Sequence, residues 1–173
     1  YAYNSSDEVA SVDPEGFGAN FRFFATARDY SDEPLWDLRP SPSDPECGDG
    51  KNSSCAMACD AEPCNRWLTL EQASANNHSF LYDFSAVCFL TVRDIARMHT
   101  GGSKPVALIQ SAWGGTRVEA WMPSSAIDKA IPTAGASPPT RAAQNNASVL
   151  YNAMVAPWDK FAVRAALWYQ GRG

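Results

Sequence analysis

The sequence predicts an α/β fold, a three-layer α/β/α arrangement around a parallel sheet, on three observations. Apolar runs at 20–26, 105–112 and 161–170 have the length and composition of strands buried on both faces. Segments with helical spacing lie between the later runs, and the last two runs each end in a glycine-containing motif, "SAWGGT" and "YQGRG". Strand, helix, strand, helix, strand is the order of a helix-covered parallel sheet, whose ligands gather beyond the carboxyl ends of the strands.

The elements follow in chain order. Residues 5–11, "SSDEVAS", place Ser5 three before Glu8, the pattern of a capping box opening a short helix. "NFRFFAT" at 20–26 is aromatic and bounded by Gly18, as a buried strand is. Residues 31–80 are rich in Pro, Ser, Asp, Asn and Cys and read as one long loop inserted in a single domain spanning 1–173. "DFSAVCFLTVRDIARMH" repeats apolar residues at Phe84, Val87, Leu90 or Thr91, Ile95 and Met98, an amphipathic helix with Asp83 as its cap and Gly101–Gly102 at its end. "PVALIQSA" is the second strand. A helix follows at 124–130, then a Pro, Ala and Gly loop to about 141. "SVLYNAMVAP" is a helix stopped by Pro157, and "FAVRAALWYQ" a last buried strand. The chain opens on Tyr1 and closes on Arg172–Gly173 directly after an apolar run, so the domain is expected to be incomplete at both ends.

Charge and cysteines narrow the partners. Nineteen acids against 14 Lys plus Arg give a net charge of −5 with no basic stripe, which disfavours a nucleic acid. No apolar stretch approaches the roughly 20 residues of a membrane span. Cys47, Cys55, Cys59 and Cys64 crowd one polar loop, while Cys88 stands alone in an apolar segment as a buried free thiol. Their C-x7-C-x3-C-x4-C spacing lacks the two clean pairs of a zinc site, so two loop disulfides of open connectivity are expected and no metal. Acceptor triplets for N-glycosylation occur at Asn4, Asn52, Asn77 and Asn146. Cysteines and triplets together point to a secreted or lysosomal protein.

Chemistry concentrates at "IQSAWGGTRVEAWMP". Gly114 and Gly115 can take positive φ and let a substrate atom approach their N–H groups, or can simply form a tight turn. Gln170 can aim its amide at the same oxyanion, or satisfy neighbouring loop backbone. A nucleophile is harder to find. Ser111 does not sit in a G-x-S-x-G elbow, His99 ends a helix and His78 lies in a polar loop, so no catalytic residue is assigned.

On these segments the chain resembles the sialate O-acetylesterases, carbohydrate esterases of the SGNH hydrolase group. "FSAVCFLTVRDI" is similar to a family helix opening on F/M-S-A-V. "PVALIQSAWGGTRVEAWMP" is similar to P-[IV]-G-L-I-x-S-S-W-G-G-T-x-[IV]-E-A-W, and "SVLYNAMVAPWDKFAVRAALWYQG" to a block running from L-[WY]-N-A-M to W-Y-Q-G-E-S-N. The resemblance implies release of acetate from O-acetylated sugars through a serine acyl-enzyme, without metal or cofactor. It implies oxyanion roles for Gly114, Gly115 and Gln170, and substrate contacts for Trp113, Thr116 and Gly171, with support of the loop the alternative for Trp113, Thr116 and Glu119. The family's nucleophile segment G-Q-S-N-M and base segment D-x-x-H do not occur in these 173 residues, and Arg172–Gly173 stand where the family has Glu-Ser. The chain by itself is therefore expected to be inactive. A rival expectation is a non-catalytic glycan-binding module, and a third an interaction module centred on residues 47–64.

Overall fold

The aromatic run at the front of the chain is the centre of a small sheet. In the computed structural model, which describes residues 17–39, 65–100, 103–130 and 142–170, strand β1 (Phe21–Ala25) lies between β2 (Trp67–Thr69) and β3 (Val106–Gln110). β3 runs parallel to β1, with Phe21 opposite Val106 and Ala25 opposite Gln110. β2 runs antiparallel, with Phe23 opposite Leu68. The expected α/β character holds, and the sheet itself is mixed rather than parallel. The described residues divide into two compact units, 17–25 with 65–110, and 26–39 with 111–130 and 142–170.

In the first unit, Phe21 and Phe23 point to one face of β1 and are fully buried, while Phe24 meets Trp67, ring centroids 5.1 Å apart. Phe23 contacts Phe84 edge-on at 5.4 Å, Phe89 at 5.7 Å and Phe80 at 6.4 Å. Leu68, Leu70, Leu81, Ala96 and Leu108 complete this core. Leu70, Ala73, Phe80 and Leu81 belong to helix α1 (Leu70–Asp83), within the stretch whose composition predicts a loop. Its start is a full capping box: the Gln72 N–H donates to Thr69 Oγ1 at 3.1 Å and the Thr69 N–H to Gln72 Oε1 at 2.9 Å. The loop expected at 31–80 therefore does not include 67–80.

Helix α2 (Ala86–Thr100) occurs where the periodicity placed it, with two corrections. Asp83 does not cap it but closes α1. The cap is Ser85, whose Oγ accepts the Cys88 N–H at 3.3 Å and whose own N–H donates to Gln110 Oε1 at the end of β3. The buried stripe is Phe89, Arg93 and Ala96, whereas Val87, Ile95 and Met98 are exposed, Met98 by 72%. A shallow apolar band wraps much of this helix, and which part is buried is decided by the aromatic ring cluster it meets.

Cys88 is a free thiol, half-buried beside that core, and burial pushes its pKa up to about 11. At pH 8 only about one molecule in a thousand then carries the thiolate. Alkylation of Cys88 by iodoacetamide, followed by peptide mass spectrometry, should be roughly 100-fold slower than for an exposed cysteine. The rate should rise about tenfold per pH unit and reach the ordinary value in urea; rapid labelling of the folded chain at pH 8 would contradict the burial.

In the second unit a separate core gathers Ala120, Val149, Leu150, Ala153 and Met154, with Tyr30, Leu35, Trp113 and Trp121 packed on it. The helix expected at 124–130 is α3 (Ser124–Ala130). The segment 148–157 is helical but opens into a wide π turn at Tyr151–Val155, and Pro157 does not stop it. It continues as a 3-10 turn over Ala156–Trp158, where proline sits in the first turn and costs no hydrogen bond.

The last expected strand is absent. Residues 161–170 make no ladder among the described residues and are exposed throughout, Tyr169 by 83%. The chain instead turns back at its start, Phe161 N–H to Trp158 O at 2.8 Å, with the two rings edge to face at 5.3 Å. An apolar run becomes a strand only when a neighbour supplies both hydrogen bonds and a covering face.

The expected helix at 5–11, the loop at 131–141, Cys47, Cys55, Cys59, Cys64, Asn4, Asn52, Gly171 and Arg172–Gly173 lie outside the described residues, as do the side chains of Asn77, His78 and His99. No helix among the described residues is long and apolar enough to cross a membrane.

Candidate active site at the glycine turn

After β3 the chain passes Ser111 and turns at Gly114–Gly115. Gly115 has φ of +75°, and a Cβ built there would meet nothing within 4 Å. Glycine is required here for backbone conformation, not for space. The turn is closed from the side chain of Thr116, whose hydroxyl donates to Trp113 O at 2.6 Å. The Thr116 hydroxyl oxygen in turn accepts the indole N–H of Trp121 at 2.9 Å. Two further ties hold the loop: the Arg117 N–H donates to Asn145 Oδ1 at 2.9 Å, and Glu119 O accepts the Ser148 N–H at 2.9 Å.

The geometry explains the spacing in "WGGTRVEAW". Thr116 is buried and its oxygen is engaged on both sides within the loop, so it supports the turn and does not offer its hydroxyl to a substrate. Trp113 is half-buried against the second core. Gln170 donates from Nε2 to Thr116 O at 3.3 Å. The third sequence block is thereby brought onto the glycine turn, although Gln170 stands in an irregular segment and not at a strand tip. One of its two amide N–H groups satisfies loop backbone, leaving the other as a donor.

Ser111 is not arranged as a nucleophile. Its Oγ donates to Met154 O at 2.8 Å and accepts from the Thr26 hydroxyl at 3.0 Å, so its one proton is committed to a carbonyl. This pair ties together the segments that leave β1 and β3, a bracing role. Among the described residues no group of three or more His, Cys, Asp or Glu is placed to hold a metal ion.

Sequence reasoning passed over Asn152. It is buried in the π turn and its amide donates to Ser31 O at 3.1 Å and Asp32 O at 3.0 Å, while its own carbonyl accepts the Leu35 N–H at 2.8 Å. An asparagine inside an otherwise apolar helical run was the available signal, since such a residue is buried only when its amide is used. Beside it Ser148 holds φ of 66° with its N–H on Glu119 O, a sparsely populated conformation kept by its surroundings. Asn146, one of the glycan acceptors expected from sequence, ends the 3-10 turn Ala143–Asn145 just before it.

The fold and the motif-built turn define the class, an α/β chain with a glycine turn after its parallel strand β3. No protein-family profile matches the chain. Sialate O-acetylesterases of Homo sapiens and Pongo abelii are each 33% identical to it over 96 residues, covering 54% of this chain and 18% of theirs. The chain thus spans about a fifth of the length of these relatives. A solved carbohydrate acetylesterase from Xanthomonas citri shares the fold at a TM-score of 0.56 and 22% identity, over 93% of this chain and 28% of that one. These findings bear out the resemblance to a sialate O-acetylesterase-like esterase family.

Proposed function

We propose that this chain is the oxyanion-binding part of a carbohydrate O-acetylesterase, one that releases acetate from O-acetylated sugars through a serine acyl-enzyme. The observation that carries the reading is the reach of Gln170 onto the Gly114–Gly115 turn, since it joins two sequence-distant blocks at one place. A carbonyl oxygen seated there would meet backbone N–H groups at the turn and the remaining amide N–H of Gln170. Each well-aimed donor stabilises the tetrahedral intermediate by about 3–4 kcal/mol. The nucleophile and its base are assigned to sequence beyond these residues, which fits a match that covers 18% of its relatives' length. A secretory or lysosomal route, with loop disulfides and N-glycans, belongs to the same proposal and rests on the cysteine cluster and the four acceptor triplets.

Loss of a serine nucleophile or its histidine costs roughly a millionfold in turnover in triad hydrolases. The 173-residue chain should therefore show no more than trace hydrolysis of 4-nitrophenyl acetate, whereas the longer protein containing it should release acetate from O-acetylated sialic acid. Serine-dependent turnover by the short chain, abolished in Ser111→Ala, would overturn the assignment of the nucleophile.

A further inference from the structure

Arg28 brings its guanidinium over Trp113, beside the glycine turn. It follows the buried pair Thr26–Ala27, is itself half-buried, and its guanidinium carbon lies 5.8 Å from the centroid of the Trp113 ring. Trp113 immediately precedes Gly114. Among the described residues the Arg28 guanidinium has no hydrogen-bond or ion-pair partner. The adjacent carboxylate does not serve it: Asp29 Oδ1 accepts the Tyr30 N–H at 2.8 Å and lies 3.5 Å from Arg39.

A guanidinium over the face of an indole is held by cation–π attraction while its N–H edges remain available for bidentate capture of a carboxylate. The chain as a whole carries −5, so an acidic ligand gains nothing from the general field and must be recognised by a local cation. We infer that Arg28, held over the Trp113 ring, binds the carboxylate of an acidic sugar whose ester is presented to the Gly114–Gly115 turn, making it a specificity-determining residue. The inference rests on the proposed oxyanion role of that turn.

The test is an NMR titration of the 173-residue chain with N-acetylneuraminic acid and with its methyl ester, two probes that differ in one charge. The acid should bind at least about tenfold more tightly and shift the Trp113 indole signal, since the ion pair with the half-buried Arg28 is lost in the ester. Arg28→Gln should remove the preference and leave ester binding unchanged, Arg28→Lys should keep part of it, and Arg117→Gln, on an exposed cation of the same loop, should keep all of it. Equal binding of acid and ester, a preference that survives Arg28→Gln in a chain with a dispersed spectrum, or no binding of either probe each overturns the inference. Failure of the esterase reading registers elsewhere, in hydrolysis of uncharged 4-nitrophenyl acetate by the longer protein, which needs no carboxylate anchor.

Discussion

Phe23→Ala should lower the stability of the first unit by about 3–5 kcal/mol, the range for removing a fully buried aromatic ring. Phe23 is wholly inaccessible and central: four other rings, those of Phe21, Phe80, Phe84 and Phe89, lie within 6.4 Å of it. It also sits on the middle strand of the sheet, between Leu68 and Leu108. The cavity cannot be refilled by local movement, because β1 is held by ladders on both sides. Urea unfolding followed by near-ultraviolet circular dichroism should show the loss as a lowered midpoint. Met98→Ala, on the exposed side of α2, should stay within about 0.5 kcal/mol of the parent. Equal effects from the two substitutions would mean that the aromatic cluster is not the core.

In the longer esterase proposed above, Gly115→Val should reduce kcat about 100- to 1,000-fold, the cost of losing one oxyanion donor. The argument is conformational. Beyond its two chain neighbours nothing stands within 4 Å of where the new Cβ would be, so that carbon meets no clash with its surroundings. A β-branched residue nevertheless resists φ of +75°, and the peptide must rotate, carrying its N–H away from the shared point near Gln170. KM should change little and the melting profile should be nearly unaltered, because Thr116, Trp121 and Asn145 still hold the loop. Hydrolysis retained within threefold would remove the turn from the chemistry.

The parts legible in sequence were those specified by local pattern. β1 and β3 stand out as short apolar runs, α2 as a periodic segment, α3 as a run opened by Ser124–Ser125. The glycine turn was legible for the same reason, since Gly115 answers to its own φ. Helix α1 was hidden although Thr69 and Gln72 carried its start signal, because Asn76, Asn77, His78 and Ser79 dilute the periodicity behind it. For Thr116 the resemblance left a substrate contact and loop support both open, because nothing local reveals that Trp121, five residues on, occupies its hydroxyl.

By itself the sequence determined the places where backbone conformation is dictated by residue type: the aromatic strand, the proline-led strand, the periodic helix and the glycine turn. Tertiary structure decided which face of α2 is buried, that β2 runs against β1, that 161–170 stays outside the sheet, and that Gln170 meets Thr116. The physical reason is one of range. Propensity and periodicity act over a few bonds, whereas pairing and burial depend on partners tens of residues away, and an apolar residue is as ready to face one such partner as another.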